Sequence, residues 1–462
     1  MVATKSHILL GGLVSLTPLV LGTPLDTRFS DNNIIEKDVA VIGGGSSGTY
    51  AAIRLKDLGA DVVVIEKAEE LGGHAQTYTA AGGVSVDYGV SNFQNYAVVQ
   101  DFFARFDLPI TSYAQAGNVD RYIDFTTGQD LPNGTIPAPD FTAYFEQLDK
   151  YPYLQSGWDL PYPVPEDLLL PFGKFVEKYG LQSVAYIITL FAAGHGNVLE
   201  QTTAYVLKAV DRPYLEGILS GTSVTPANND THELYVRALE VLGSDALLSS
   251  TVACATRSDN GVELVVNTPD GEKIVKANKL LISAPPTLDN LTPFGLDEAE
   301  EAIFSQFEHN ALYVGLLENT GLEAGVRYYN ADSSADGEVN PYNVANLPGV
   351  QMVWATRAEG IYWAWYSSPT ETSEEKVKSD TIAAIQRLSP GSEPAFVAYD
   401  SHTPFAVGVS PEAIADGFYR KLYSLQGYKS TWYTGAAFVT AHSSALWNFT
   451  EYEILPRLQQ RQ

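Results

Sequence analysis

The sequence predicts an α/β protein: a discontinuous Rossmann-type nucleotide-binding domain with an α+β domain inserted into it. Three observations carry that prediction. From Asp38 to Lys67, DVAVIGGGSSGTYAAIRLKDLGADVVVIEK reads as strand, glycine turn, helix and strand, with an acid at the end of the second strand. The same style returns far downstream, in an apolar strand at Leu248–Ala255 and in KLLIS, which stops at Pro285-Pro286. A last strand and small-residue turn, TWYTGAAF, precede a C-terminal helix beginning after Ser443. One module is therefore assembled from residues 36–98, 222–300 and 399–462, and residues 99–221 and 301–398 form the second domain.

Each element has a local reason. The N-terminal residues combine Lys5, an apolar run from Ile8 to Leu21 and small residues near Gly22. That is the layout of a signal peptide over 1–22, too short for a comfortable membrane span. Asn-x-Ser/Thr sequons at Asn133, Asn229, Asn290 and Asn448 agree with a secretory route ending outside the cell or in a vacuole-like compartment, and imply a glycoprotein. Pro293 makes the third a poor acceptor. Val99, Phe102, Phe103 and Phe106 have helical spacing, so the inserted domain opens on a helix. Pro132–Pro171, rich in proline and tyrosine, reads as long ordered loops. Glu233–Leu242 reads as a helix, and a hairpin turns at PDG, Pro269–Gly271. VWATRAEGIYWAWY alternates as a pair of sheet strands.

Composition narrows the function. With 45% hydrophobic residues and 27 Tyr, 19 Phe and 6 Trp, the chain can bury a large core. Its net charge of -27 repels phosphate backbones and anionic membranes, which argues against a nucleic-acid partner and for a soluble protein of mildly acidic surroundings. The single cysteine, Cys254, cannot form an intramolecular disulfide and reads as a buried structural thiol in LLSSTVACATR. No metal-ligand spacing is present. No Ser-His-Asp or paired-carboxylate arrangement points to hydrolysis.

Gly43, Gly45 and Gly48 form G-x-G-x-x-G directly after a strand, which allows a tight turn, close backbone approach to a pyrophosphate and close helix packing. Glu66 stands where an acid accepts hydrogen bonds from the adenosine ribose and disfavours a 2′-phosphate, so NADP is unfavoured while NAD and FAD remain. A second glycine turn, Gly72-Gly73, follows six residues later, then Asp87-Tyr88-Gly89. Two such turns so close together suggest one extended ligand passing along both.

Here the sequence resembles the flavin-containing amine oxidase superfamily, and within it most the fungal β-cyclopiazonate dehydrogenase family. The resemblance covers nearly the whole chain after the leader, in GGH, DYGV, FAAGHGN, HTPF, GFY, LQGYKSTWYTGAAF and LWNFT. It implies the amine oxidase/GDI-like two-domain architecture, with an FAD-binding domain and a substrate-binding domain, and FAD as cofactor. The FAD contacts it implies fall on Gly43, Gly45, Ser47, Gly48, Glu66, Lys67, Gly73, His74, Val252, Gly435 and Ala436. Three departures matter. His74 stands where many amine oxidases carry arginine, which makes the local charge pH-dependent and leaves a histidyl–flavin linkage open. Ala436 replaces an acid that often follows the terminal glycine. No cysteine lies near the C-terminus, so a cysteinyl–flavin bond is excluded.

For the chemistry, His195 between two glycines, His402 before TPF, and Tyr433 just ahead of the flavin turn are the catalytic candidates. Trp363, Trp365 and Tyr366 could wall a pocket for a flat apolar substrate. The resemblance implies an FAD-dependent oxidoreductase of fungal secondary metabolism. It would take hydride from a bulky alkaloid or terpenoid-type small molecule, with oxidative ring closure as a sequel and O2 as the simplest electron acceptor. A flavin-dependent double-bond isomerase, an amine oxidase and a GDI-like non-catalytic binding protein are the alternatives. Oligomeric state is left open.

Overall fold

The computed structural model describes residues 33–113, 118–334 and 342–460. The expected leader therefore lies outside the described residues. Among the described residues no helix is long and apolar enough to cross a membrane.

The first sheet has seven strands, in spatial order Thr251–Ser258, Gly261–Thr268, Gly271–Ile282, Ile34–Ile42, Val62–Ile65 and Ala246–Leu247, with Thr431–Tyr433 beside Gly271–Ile282. The twelve-residue strand Gly271–Ile282 serves two neighbours. Its first half pairs antiparallel with Gly261–Thr268, and Leu280–Ile282 pair in parallel with Thr431–Tyr433. That register brings the small-residue turn after Tyr433 to the end of the opening strand. The parallel strands are near-continuous apolar runs, such as Val62–Ile65, because helices cover both faces.

The second sheet has eight strands, in the order Ala395–Ser401, Glu308–Glu318, Tyr362–Ser368, Gly349–Ala355, Val326–Asn330, Val119–Asp124 and Gln129–Asp130, with Phe405–Gly408 on the start of Glu308–Glu318. Helix Glu374–Leu388 closes one face through Val377, Ala384 and Ile385. The other face carries Tyr329, Trp354, Trp363 and Trp365 towards helix Gln182–Phe191. Strand alternation separates the residues of the predicted aromatic wall. Trp363 and Trp365 share the face towards helix Gln182–Phe191, while Tyr366 points to the opposite one, where it is 2% exposed and donates to Asp380.

Several sequence expectations are corrected. Helix Ala97–Ala104 belongs with the nucleotide-binding side: Phe102 packs 4.7 Å from Tyr50 and 4.9 Å from Trp447, ring centre to ring centre. Each fully buried phenylalanine there contributes roughly 1.5–3 kcal/mol, which overrides the inserted-domain assignment. The boundary at 398/399 also moves, because Ala395–Ser401 and Phe405–Gly408 both pair with Glu308–Glu318, placing His402 on the second sheet. Pro132–Pro171 is broken by short helices at Thr142–Leu148, Pro152–Ser156 and Glu166–Leu169. Cys254 is exposed, because Thr251–Ser258 is an edge strand whose register shifts between Val252 and Cys254.

Candidate active site

The nucleotide cradle is almost entirely backbone. Helix Ser46–Asp57 starts directly after Gly45, and no side chain caps its free amides. Gly48 cannot be replaced without rebuilding the turn, since a Cβ there would stand 1.9 Å from the Gly43 carbonyl oxygen. The second glycine turn lies against the first. Gly45 and Gly72 form an isolated parallel bridge, and the Gly72 amide donates to the Gly44 carbonyl at 2.8 Å. The Glu66 carboxylate accepts from the amides of Gly44 (2.5 Å) and Ala68 (2.7 Å), so it is held at the end of its strand beside the turn. Ser249 and Ser250 donate to the carbonyls of Ala68 and Glu66, which brings the start of the strand carrying Val252 to the same place. The C-terminal helix Ser443–Phe449 is tied in by the Ser46 hydroxyl, which donates to Ser443 Oγ at 2.9 Å. A carboxylate, two apposed glycine turns and a bare helix start suit an extended dinucleotide such as FAD. Gly43, Gly45, Ser47, Gly48, Glu66 and Gly73 are gathered around this cradle, with Gly435 at the end of the adjoining strand Thr431–Tyr433.

Beyond the second turn the construction changes to side chains. His74 follows Gly73 and stacks on His402, with ring centres 4.1 Å apart and planes 13° from parallel. The His74 backbone is clamped: its carbonyl accepts from Val90, and a Cβ on Gly89 would lie 1.9 Å from that oxygen. This explains DYGV. Phe405 lies 6.2 Å from His74 on one side and 6.2 Å from His195 on the other. The GHG turn is seated there because the Phe405 ring lies against Gly194, where any Cβ would come within 2.2 Å of it. Three separate sequence segments, GGH, AGHGN and HTPF, thus meet in one row of rings.

The histidines of this row differ electrostatically. His74 is surrounded by protein yet keeps an accessible face, so it lines a cleft. Desolvation, then His402, then Lys67 hold its imidazole well below the ordinary histidine value. At 4.1 Å two charged imidazoles would repel by about 4 kcal/mol at an effective dielectric of about 20. Burial also pushes His195 down, to about 4, opposed by its contact to the Ala192 carbonyl at 3.2 Å. With Nδ1 donating there, Nε2 is the nitrogen left to accept a proton. Asp400 Oδ2 stands 3.2 Å from His402 Nε2.

A cavity of about 300 Å³ opens between the flavin turn and the second sheet, lined by His195, Tyr205, Lys208, His309, Asn310 and Ala436 among others. Lys208 is a tether: its ammonium donates to the carbonyls of Leu154 and Gly157 (2.7 Å to the latter). Burial pulls its pKa down to about 7, against the pull of Asp211.

Tyr433, expected at the site, is corrected. It is 1% exposed, wedged between Phe304 and Phe438, and its hydroxyl points to Glu300 of the buried Arg257–Glu300 ion pair. Strand alternation turns it into the core. His402 stacks on His74, and His195 stands beyond Phe405 in the same row of rings. Sequence reading missed Phe405, Asp400, His309 and Asn310. HTPF was visible as a pattern, but only the strand pairing of Glu308–Glu318 shows that it faces GGH.

Comparisons with known proteins agree with this geometry. Residues 41–106 match the NAD(P)-binding Rossmann-like domain model. The FAD-dependent oxidoreductase pigF of Monascus ruber is 42% identical over 445 residues, 94% of each chain. The dbaF oxidoreductase of Emericella nidulans is 39% identical over 98% of each, and β-cyclopiazonate dehydrogenase of Aspergillus oryzae 34% over 97%. The chain belongs to this family of fungal FAD-dependent oxidoreductases. It is therefore an FAD-dependent enzyme, and the dinucleotide of the cradle is FAD. The same fold occurs in a conjugated-linoleic-acid-producing fatty acid isomerase from P. acnes, with TM-score 0.72, 18% identity and 91% of this chain covered. It also occurs in putrescine oxidase, with TM-score 0.66, 19% identity and 92% of this chain covered. The family membership and the amine oxidase-type two-domain fold expected from the sequence are both borne out.

Proposed function

We propose that the enzyme dehydrogenates a bulky, largely apolar secondary metabolite of alkaloid or terpenoid type, with oxidative ring closure as a sequel. The observation that carries this reading is the continuity of the histidine row with an aromatic face. Trp363 donates through Nε1 to the Tyr88 carbonyl, one residue from Gly89 behind His74. Trp354, Trp363 and Trp365 follow one another at ring-centre distances of 5.3 and 4.8 Å along one face of the second sheet and remain only partly buried. Such a wall binds flat apolar surface by area and by ring stacking.

FAD supplies the hydride acceptor when bound. The chain's own residues do the rest. The glycine turns and Glu66 hold the dinucleotide, and the tryptophan face binds the apolar surface of the substrate. His195, neutral above pH 4, can accept at Nε2 the proton that leaves with the hydride. Two electrons and two protons then pass to O2, giving hydrogen peroxide. The similarity of the chain to relatives named for oxidoreductase and dehydrogenase activity supports oxidation over isomerisation. The leader supports a secretory location, where O2 is the available acceptor.

Gene deletion with metabolite profiling tests the reading. One apolar precursor should accumulate, and purified enzyme should convert it to a product two hydrogens lighter with one peroxide per turnover. A product of unchanged mass would make the enzyme an isomerase; release of ammonia and an aldehyde would make it an amine oxidase.

A further inference from the structure

Behind His74, on the side away from the glycine turns, the second domain supplies a pair of side chains that the reaction above does not use. His402 is 4% exposed, and its amide donates to the Leu312 carbonyl at 2.9 Å, which fixes it to strand Glu308–Glu318. Its ring covers the face of His74 at 4.1 Å. Among the described residues its Nε2 makes no well-aligned hydrogen bond, and the Asp400 carboxylate stands 3.2 Å from it. Asp400 comes from the same sheet, opposite Val314. The ring plane of His74 is therefore set by a residue of the other domain, while its backbone is set by Gly89 and Val90.

We propose that His402, backed by the Asp400 carboxylate, is a positioning residue for His74: it fixes the plane of that ring at the cofactor cleft. This rests on His74 lying beside the flavin, as the adjoining glycine turn places it. The charged and titratable groups around His74 are His402 and Asp400 on the second sheet and Lys67 after the opening unit. Tyr88 stands nearby, its phenol pushed up to about 12 by burial, then by Asp400 and Glu70. Glu70 is itself engaged by His232 at 3.3 Å. On the far side Phe405 separates His74 from His195. Among the described residues, His402 is the ring that lies stacked on His74. A stacked neighbour that can carry charge penalises charge on His74, and a stacked neighbour that cannot would remove that penalty.

The test uses the FAD-loaded enzyme with labelled histidine, His74 being identified by the resonance lost in His74→Asn. In the wild type the His74 ring should titrate well below the ordinary histidine range, held there by desolvation and then by His402. His402→Phe keeps an aromatic face and removes a group that can carry charge, so His74 should keep its place and titrate at a higher pH than in the wild type. His402→Ala removes the stack as well, and kcat should fall roughly 10-fold with KM changed less than about 2-fold, the split expected of a lost orientation. Visible flavin bands in each variant confirm that the cofactor is in place. A His74 resonance that titrates identically in wild type and His402→Phe, together with an unchanged kcat in His402→Ala, would overturn the proposal. Wild-type protein that takes up no flavin would instead overturn the site reading on which it rests.

Discussion

Around the two glycine turns the contacts are made by backbone: Gly72 to Gly44, Gly45 beside Gly72, and amides bound to Glu66. Around His74 they are made by side chains from segments more than three hundred residues apart, His402 and Phe405 among them. The two regions are neighbours, yet they answer to different physics. A cradle of backbone depends on residues that have no side chain, so its requirement is written locally as glycine. A row of rings depends on which strands pair, so nothing near His74 in the sequence announces its partner. The comparison teaches that cofactor binding should be brittle to the smallest local change, and substrate handling graded and distributed.

The largest effect should come from the cradle. Gly48→Ala inserts a methyl that would stand 1.9 Å from the Gly43 carbonyl oxygen. Bound flavin per polypeptide, read from visible absorbance, should fall at least about 10-fold, with circular dichroism checking that the fold survives. Normal flavin content would break the contrast at its stronger end.

Next is the aromatic face. Trp365→Ala should raise KM roughly 10-fold and leave kcat within about 2-fold, because it removes binding area common to ground and transition states. A matched loss of kcat would mean that the face also orients the reacting carbon.

His195 gives a pH-dependent effect. Its folded-state value of about 4 lies below the ordinary value of 6.5, so the unfolded chain binds more protons between those limits. Stability attached to this residue is complete above about pH 6.5 and is lost as pH falls through 6.5 towards 4. Compared with wild type, His195→Gln should lose roughly 3 kcal/mol less on going from pH 7 to pH 4, as measured by urea unfolding.

Tyr433 marks the small end. Its hydroxyl reaches Glu300 only at 3.5 Å, so Tyr433→Phe should leave kcat and KM within about 2-fold and cost under about 1 kcal/mol in unfolding experiments. A large loss of turnover would return this tyrosine to the site.

By itself the sequence determined the parts whose requirements are local. The opening strand and glycine turn, Glu66, helix His232–Leu242, the hairpin at Pro269–Gly271 and the strand pair Gly349–Ala355 with Tyr362–Ser368 all follow from spacing and turn residues. GGH and DYGV could be seen side by side, and the structure supplies their reason: Gly89 leaves room for the His74 carbonyl. Tertiary structure decided the rest. Whether Tyr433 or Trp365 faced the cleft depended on strand phase against a partner sheet, and a shift of one residue reverses that answer. The exposure of Cys254 came from an edge position and a register shift. The stacking of His74 on His402 required antiparallel pairing of Ala395–Ser401 with Glu308–Glu318, a long-range contact that no local pattern encodes.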